Sequence, residues 1–381
     1  MSRLFQLTEA QALVRDTARN YAQKSLAPIA ARLDREARFP RQQLAELADL
    51  GMMGVNIPEE YGGAHAGAVA YALAMMEIAQ ACASTAVTMA VNNLVAETIA
   101  RFGSDAQKRR YLPEITSGRF IAASFGLSEP HAGSDAGALR TTARRDGGDY
   151  VINGSKQWIT SGDHAGVIIV WARTGGEGPK GISCFLVEGG AKGLHVGRHE
   201  DKMGLRASST VSLAFEDVRV PASAMLGPEG RGFSIALAGL DSGRIGIACQ
   251  AVGIGTAALE SAIRYAKERK AFGEPIASYQ AIQFMLADAA TELDAARLLA
   301  LRAAAVKEAG KPFAREAAMA KLFASEKANK ACDAAVQVHG GYGYIAEFPV
   351  ERHYRDVRVT TIYEGSSEIQ RIVIARNLLA Q

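Results

Sequence analysis

Tyr150-Val151-Ile152-Asn153-Gly154 marks a change of rhythm in this chain. On its N-terminal side, from Thr8 to about Gly118, apolar residues recur at helical spacing. Thr8 with Gln11 and Ser104 with Gln107 read as capping boxes, and Gly51, Gly54, Gly62, Gly63 and Gly103 punctuate the segments. From Phe120 to about Pro228 the pattern turns to short β-type runs: Tyr150 to Ile152, Val167 to Trp171, Ile182 to Val187 and Val211 to Phe215. Asn153-Gly154 and Gly175-Gly176 fall between such runs and read as turns joining strands. From Gly232 onward long helical periods return, broken at Phe272-Gly273-Glu274-Pro275, Gly310-Lys311-Pro312 and Gly340-Gly341. Long helices joined by short breaks suit an antiparallel bundle. The expected class is therefore α+β, with a helical domain over 1–119, a central β domain over 120–228 and a helical bundle over 229–381.

Composition bounds what these domains can do. At 381 residues with 48% apolar content the chain exceeds one typical core and has ample material to bury two or three. Lys plus Arg number 43 against 40 for Asp plus Glu, a net charge of +3 without a basic run, so nucleic acid is not an expected partner. Cys82, Cys184, Cys249 and Cys332 lie far apart without a C-x-x-C pair, which suits a reducing compartment. Met1 to Gln6 lack an apolar leader core, and no stretch of bilayer length is free of charge. The expectation is a cytoplasmic protein with no membrane partner.

Several chemistries lack their parts. Gly253-Ile254-Gly255-Thr256-Ala257-Ala258 matches the dinucleotide fingerprint G-x-G-x-x-A, but it sits inside a helical run rather than after a strand. Glycines there suit close helix packing. His195 and His199 lie in a β region beside Gly193 and Gly197, without the helical spacing that brings two imidazoles to one face, and no metal is expected. Neither G-x-S-x-G nor a phosphate loop with G-x-x-x-x-G-K occurs.

Three polar loops remain. Phe125 to Asp135 reads Phe-Gly-Leu-Ser-Glu-Pro-His-Ala-Gly-Ser-Asp, a strand end followed by small and hydroxyl residues that expose backbone amides. Lys156 to Gly162 places Trp158 two residues before Thr160, which suits covering a flat ring and bonding its edge, or equally a core tryptophan. Tyr363-Glu364-Gly365-Ser366-Ser367-Glu368 puts a carboxylate beside a glycine, with Ser366 or Ser367 able to cap the helix behind it. That last stretch can present a base to a ligand or be a solvated helix cap.

Taken together these loops resemble the acyl-CoA dehydrogenase family. The resemblance runs through Phe125 to Asp135, Trp158 to Thr160, Glu200 to Gly204, Asp241 to Arg244, Glu268 to Gly273, Gln337 to Gly341 and Tyr363 to Gly365 in family order. It is strongest to the short-chain, butyryl-type members, through Ala83 to Asn93 and Gly243 to Ala248. It implies a helical N-terminal domain, a central β-barrel-like domain and a C-terminal four-helix bundle. It also implies FAD as cofactor, acyl-CoA as substrate, a homotetramer, and an electron-transferring flavoprotein as electron acceptor.

Carried over position by position, the resemblance makes Glu364 the base that takes the α-proton of the thioester, with Ile362 and Tyr363 helping to bury it and its backbone amide holding the thioester oxygen. Asp241 and Arg244, a turn apart, would line the ligand channel or form an ordinary helix ion pair; Ser134 and Gly365 would contact substrate. Phe125, Leu127, Ser128, Trp158, Ile159 and Thr160 would surround the flavin ring, with Ser366 and Glu368 beside it. Arg269, Phe272, Gln280, Gln337, Gly340 and Gly341 would reach the adenosine and pyrophosphate of a neighbouring subunit's cofactor. Ser366 stands where threonine is more usual and Ser161 where asparagine is frequent. An oxidase passing electrons to dioxygen, a branched- or medium-chain dehydrogenase and a non-catalytic flavin-binding or acyl-CoA-binding scaffold are the competing expectations.

Overall fold

The computed structural model describes residues 7–380, so the reading of Met1 to Gln6 lies outside the described residues. The N-terminal part is helical: α1 (Glu9–Tyr21), α2 (Ala27–Arg35), α3 (Arg41–Asp49), α4 (Ala68–Ala81), α5 (Ala83–Phe102) and α6 (Asp105–Thr116). Both expected capping boxes are formed. Thr8 Oγ1 accepts from Gln11 N at 3.2 Å and Ser104 Oγ from Gln107 N at 3.3 Å, so α1 and α6 begin where their side chains satisfy free amides.

The middle of the chain forms β1 (Ala122–Gly126), β2 (Thr142–Asp146), β3 (Asp149–Thr160), β4 (Ala165–Arg173), β5 (Ile182–Glu188), β6 (Leu194–His199) and β7 (Thr210–Pro221). β4 is the hinge of this sheet. β1 runs parallel to it and β5 antiparallel, while β2 touches it only at Thr142 and Arg173 and leads to β3, β7 and β6. Among the described residues β1, β5 and β6 each pair with one strand alone, so the sheet curls without closing into a ring. β4 is buried on both faces, which explains its unbroken apolar run. Val167, Ile169 and Trp171 pack under α5 and α6, whereas Ile168, Val170 and Ala172 pack against β3 and β7.

Asn153-Gly154 is not a turn. β3 continues through it to Thr160, and its ladder with β7 slips by one residue between Ile152 and Gly154. The cause is visible opposite: Asn153 Nδ2 donates to Asp217 Oδ1 and Asp217 N donates to Asn153 Oδ1, both at 2.9 Å. The asparagine thus spends its amide across the ladder and the pair makes a bulge. Burial along β7 records the slip, running Val211, Leu213, Phe215 and then Val218, Val220.

The C-terminal part comprises α7 (Gly232–Glu268), a small hairpin of β8 (Lys270–Ala271) and β9 (Glu274–Pro275), α8 (Gln280–Glu308), α9 (Ala314–His339), α10 (Val350–Val357) and α11 (Ser367–Leu379). α7 is the spine: α4, α5, α8 and α9 all pack against it, so one core joins the N-terminal helices to the bundle. An 18-residue window of α7 is apolar enough to cross a membrane, and 89% of that window is buried inside the fold, which makes it a core helix.

The glycines of the rejected dinucleotide match serve this packing. A methyl group on Gly253 would stand 2.5 Å from Met76 O in α4, and one on Gly255 would stand 2.6 Å from Leu293 Cδ2 in α8. Gly253→Val therefore trades a favourable helix propensity for overpacking against backbone, and it is expected to cost about 1–3 kcal/mol. Denaturant unfolding followed by circular dichroism reads this directly; an unshifted midpoint would contradict the close approach.

Candidate active site

Two strand ends and one helix-to-helix loop build the site. β1 runs out at Gly126 into the Leu127 to Asp135 loop, and β3 ends at Trp158 to Thr160 beside it. Ser124 Oγ donates to Thr160 O at 2.7 Å and Gln157 N donates to Ser128 O at 2.9 Å, fastening the two loops together. Beneath them lies a buried ion pair: Lys156 Nζ donates to Glu129 Oε1 at 2.8 Å and to Leu127 O at 3.2 Å. Burial opposes the Glu129 charge, but Lys156 and the amides of Arg140 and Thr141 outweigh it and hold the carboxyl below its usual range. Burial in turn pulls Lys156 down to about 8. A pair of this kind is a weak source of net stability but costly to break from one side, so it fixes loop geometry.

Trp158 occupies a second bulge of β3, with φ 62° and 62% of its surface exposed. A left-handed backbone at a large non-glycine residue is strained, and a large exposed aromatic beside two hydroxyl-bearing loops is a plate for a flat ligand. Phe125, Ser128 and Thr160 are half-buried around it, whereas Leu127 and Ile159 are buried and support the loops from below. Ser134 is exposed at the far end of its loop.

Glu364 carries the other half. It too has a left-handed backbone, φ 54°, followed by Gly365 at 86°, so two consecutive residues turn the chain sharply before α11. Desolvation pushes its carboxyl up to about 7, against the pull of Arg244 and Lys321. Its Oε2 is buried without a hydrogen-bond partner among the described residues. A buried, unpartnered carboxyl oxygen with a value raised to about 7 makes Glu364 a candidate base. The room for it comes from α7, because a methyl group on Gly243 would stand 2.5 Å from Glu364 Oε2.

The serine hydroxyls do not cap α11 as expected. Ser366 is the N-cap residue without a side-chain cap bond, and Ser367 Oγ is buried without a partner. The turn is held instead by its carbonyls: Gln370 Nε2 donates to Glu364 O at 3.1 Å and Gly365 O at 2.8 Å, and Lys321 Nζ to Gly365 O at 2.7 Å. Ile362 is 55% exposed and gives Glu364 little shelter; Tyr363 turns its hydroxyl to Gln250, and Tyr71, buried on α4, lies close enough to feel the carboxylate. Asp241 and Arg244 form the helix ion pair at 2.5 Å, and Arg244 is also near enough to act on Glu364. Glu368 is exposed and stays below its usual range through the Ser366 hydroxyl.

The sequence families decide the identity of this arrangement. The acyl-CoA dehydrogenase N-terminal, middle and C-terminal domains match residues 8–119, 124–218 and 230–379. The chain belongs to the acyl-CoA dehydrogenase family. It is an oxidoreductase of that family, 52% identical over 376 residues to the short-chain specific acyl-CoA dehydrogenase of Bos taurus mitochondria, covering 98% of this chain and 91% of the relative. The butyryl-CoA dehydrogenase of Megasphaera elsdenii superposes with TM-score 0.96 at 42% identity over 100% of both chains. A chain in a structure of the electron transferring flavoprotein of Acidaminococcus fermentans, concerned with electron bifurcation, superposes with TM-score 0.97 at 44% identity, again over 100% of both.

The residues singled out in sequence fall into two groups. Phe125, Leu127, Ser128 and Ser134, Trp158 to Thr160, and Glu364 to Glu368 belong to the segments just described, with Asp241 and Arg244 on α7. Arg269, Gln337, Gly340 and Gly341 instead line a separate open cavity of about 550 Å³ with Tyr265 and Tyr342, and Arg269 lies over the Tyr342 ring at 5.6 Å. Phe272, 97% exposed at the β8–β9 tip, and the exposed Gln280 flank that region without lining the cavity. An open plate at Trp158 and a planar cation over an apolar cavity fit a flavin dinucleotide held at two places.

Lys321, Gln370, Tyr71 and the Lys156–Glu129 pair were not assigned roles from sequence. Lys321 alone leaves a signal there, a charge inside the apolar run Ala317 to Ala324.

Gly243→Ala should favour the helix by about 1 kcal/mol yet push the Glu364 carboxylate aside. A far side-chain end yields easily, so the fold should tolerate the change while turnover falls by an expected ~10–100-fold, the reach of a displaced base. Melting temperature and kcat measured on one preparation check both halves.

The raised Glu364 carboxyl also carries a stability signature. Its ordinary value is 4.5 and its folded value about 7, so between them the unfolded chain loses a proton that the folded chain keeps. The group's contribution therefore falls as pH rises through that window. Glu364→Gln should melt above the wild type by a margin that widens from pH ~4.5 to ~7 and then levels, which thermal scans across pH will test.

Proposed function

We propose that this protein oxidises short-chain acyl-CoA thioesters to trans-2-enoyl-CoA, with FAD as cofactor and an electron-transferring flavoprotein as acceptor. The desolvated carboxylate of Glu364 carries the reading, because its burial sets it near the pH at which a base both holds and releases a proton efficiently. Glu364 takes the α-proton, and its own backbone amide would hold the thioester oxygen as negative charge develops. Arg244 and Lys321 favour the ionised base before the step. Bound FAD would supply the two-electron acceptor: the pair of the broken α C–H bond becomes the new π bond, and the β-hydrogen would leave with its own pair as hydride.

Leu127, Ser128, Trp158, Ile159, Thr160, Ser366 and Glu368 are the residues that would hold the flavin ring. Arg269, Phe272, Gln280, Gln337, Gly340 and Gly341 would hold the adenosine and pyrophosphate of a neighbouring subunit's cofactor in a homotetramer. Support for a neighbour comes from the exposure of Phe272 and Tyr344, 97% and 87%, beside an open cavity. Support for an electron-transferring flavoprotein is the similarity to the Acidaminococcus chain, and support for short acyl chains is the similarity to the short-chain and butyryl-CoA enzymes. Four buried, unpaired cysteines suit the reducing, cytoplasmic setting read from sequence.

The decisive experiment is anaerobic bleaching of the bound flavin by butyryl-, isobutyryl-, isovaleryl-, hexanoyl- and octanoyl-CoA. Butyryl-CoA is expected to give the highest kcat/KM, with a steep fall beyond about six carbons, since each methylene forced into a full pocket costs ~1–3 kcal/mol. Glu364→Gln is expected to bind acyl-CoA yet slow flavin reduction ~10²–10⁴-fold. A protein that takes up no FAD overturns the proposal. An octanoyl or branched optimum overturns only the chain length, and oxygen consumption in place of flavoprotein reduction overturns the acceptor.

A further inference from the structure

Lys321 is a charge where the surrounding sequence supplies small apolar side chains. It stands on α9 with Ala317, Ala320 and Ala324 buried around it, and its own surface is fully inaccessible. A buried ammonium is costly unless its charge and its donors are used. Among the described residues Lys321 makes one hydrogen bond, to Gly365 O at 2.7 Å, and pairs with no carboxylate. That carbonyl already accepts from Gln370 Nε2 at 2.8 Å, so a neutral partner satisfies it without a buried cation.

What the lysine adds is charge beside the base. Glu364 is faced from α7 by Arg244, whose guanidinium is paired with Asp241, and from α4 by the buried Tyr71. Tyr363 adjoins it in sequence. Glu368 and Arg371 lie on α11, and Arg371 is paired with Glu326 of α9 at 2.6 Å. Arg244 is thus bonded directly to its own carboxylate, whereas Lys321 has no carboxylate in contact, Glu368 and Glu326 acting on it only at longer range.

We propose that Lys321 is a positioning residue for the base: its ammonium grips the Gly365 carbonyl, locks the left-handed turn that carries Glu364, and places beside the carboxylate a positive charge that no carboxylate bonds directly. This rests on Glu364 being the base. Burial draws Lys321 down to about 8 while Glu364 pulls the other way, consistent with two groups that sense each other in a dry site.

The test is the pH profile of kcat/KM for butyryl-CoA in FAD-loaded Lys321→Met, beside wild type and Lys321→Arg. Removing the charge should move the ascending limb up by about one pH unit or more, so that the variant is about tenfold slower below the limb and recovers above it. Lys321→Arg, which keeps charge and donors, should keep the limb. The carboxylic-acid band of Glu364, isolated as the infrared difference from Glu364→Gln, should titrate at the same shifted pH without turnover. A uniform loss at every pH with the limb and the band in place means a merely structural lysine and overturns the proposal. If Lys321→Met yields no holoenzyme, Lys321→Gln, which keeps a donor and loses the charge, is read by the same criteria. A wild type whose flavin is not bleached by any acyl-CoA overturns the base assignment instead, so the two failures are distinct.

Discussion

A half-buried glutamate whose Oε2 is shielded from water without a bonding partner is costly to keep, and several helices converge to hold it. Glu364 sits on a turn with two consecutive left-handed residues, a conformation that only surrounding structure can maintain. α7 makes room with Gly243, α9 and α11 hold the turn's carbonyls through Lys321 and Gln370, and α4 closes the side with Tyr71. Four helices are committed to one side chain. The long α7 can serve this purpose because its glycines let α4 and α8 approach closely enough to make it rigid.

The β domain solves a complementary problem, presenting a flat surface and loop amides at a fixed place. Non-glycine residues in the left-handed region recur where ligands are expected: Trp158 and Ser161 at the end of β3, Phe272 at the exposed hairpin tip and Glu364 before α11. Strain at these positions is affordable only because the strands behind them are locked. β4, buried on both faces, and the Lys156–Glu129 pair beneath the loops provide that lock. The pair is worth little as net stability, yet losing one partner would strand a buried charge, so it holds the loops in one arrangement.

Element types, capping boxes and the order of helical and β blocks were legible in the sequence because periodicity and caps are local. Asn153-Gly154 misled for an equally local reason. Its turn propensity was overridden by Asp217, 64 residues away, which gives the asparagine amide a better partner across the ladder. Glu364 was legible as a candidate because a glycine-flanked carboxylate before a helix is a local pattern. Its environment was not, since Ile362, adjacent in sequence, faces solvent, while Lys321 and Gly243, 43 and 121 positions away by numbering, define the pocket. The serine caps did not form, and the Ser366 hydroxyl goes to the Glu368 carboxylate instead of a free amide. Arg269, Gln337, Gly340 and Gly341 line a cavity apart from the Glu364 loop, a relation that no local pattern shows.

The turn is also steered from the opposite side, through the segment just before it. α10 ends seven residues ahead of Glu364, and Thr360 Oγ1 and Asn329 Nδ2 both donate to Val357 O, tying the connection to α9. On α10, Arg355 bridges to Asp34 of α2 at 2.7 Å and to Met203 O at 3.2 Å. Buried Asp356, pushed up to about 7 by desolvation, accepts from Leu205 N at 2.6 Å. The Glu200 to Gly204 motif of the β domain therefore leads directly onto the short helix that precedes Glu364. Glu200 itself accepts from Gln157, one residue from Trp158. A continuous chain of contacts links the aromatic plate to the carboxylate through β3, the motif and α10, so the two halves of the site are held in mutual register by the domain interface. Their separation is set by packing among three domains, which explains why each half alone is an ordinary loop and only the folded chain makes a site of them.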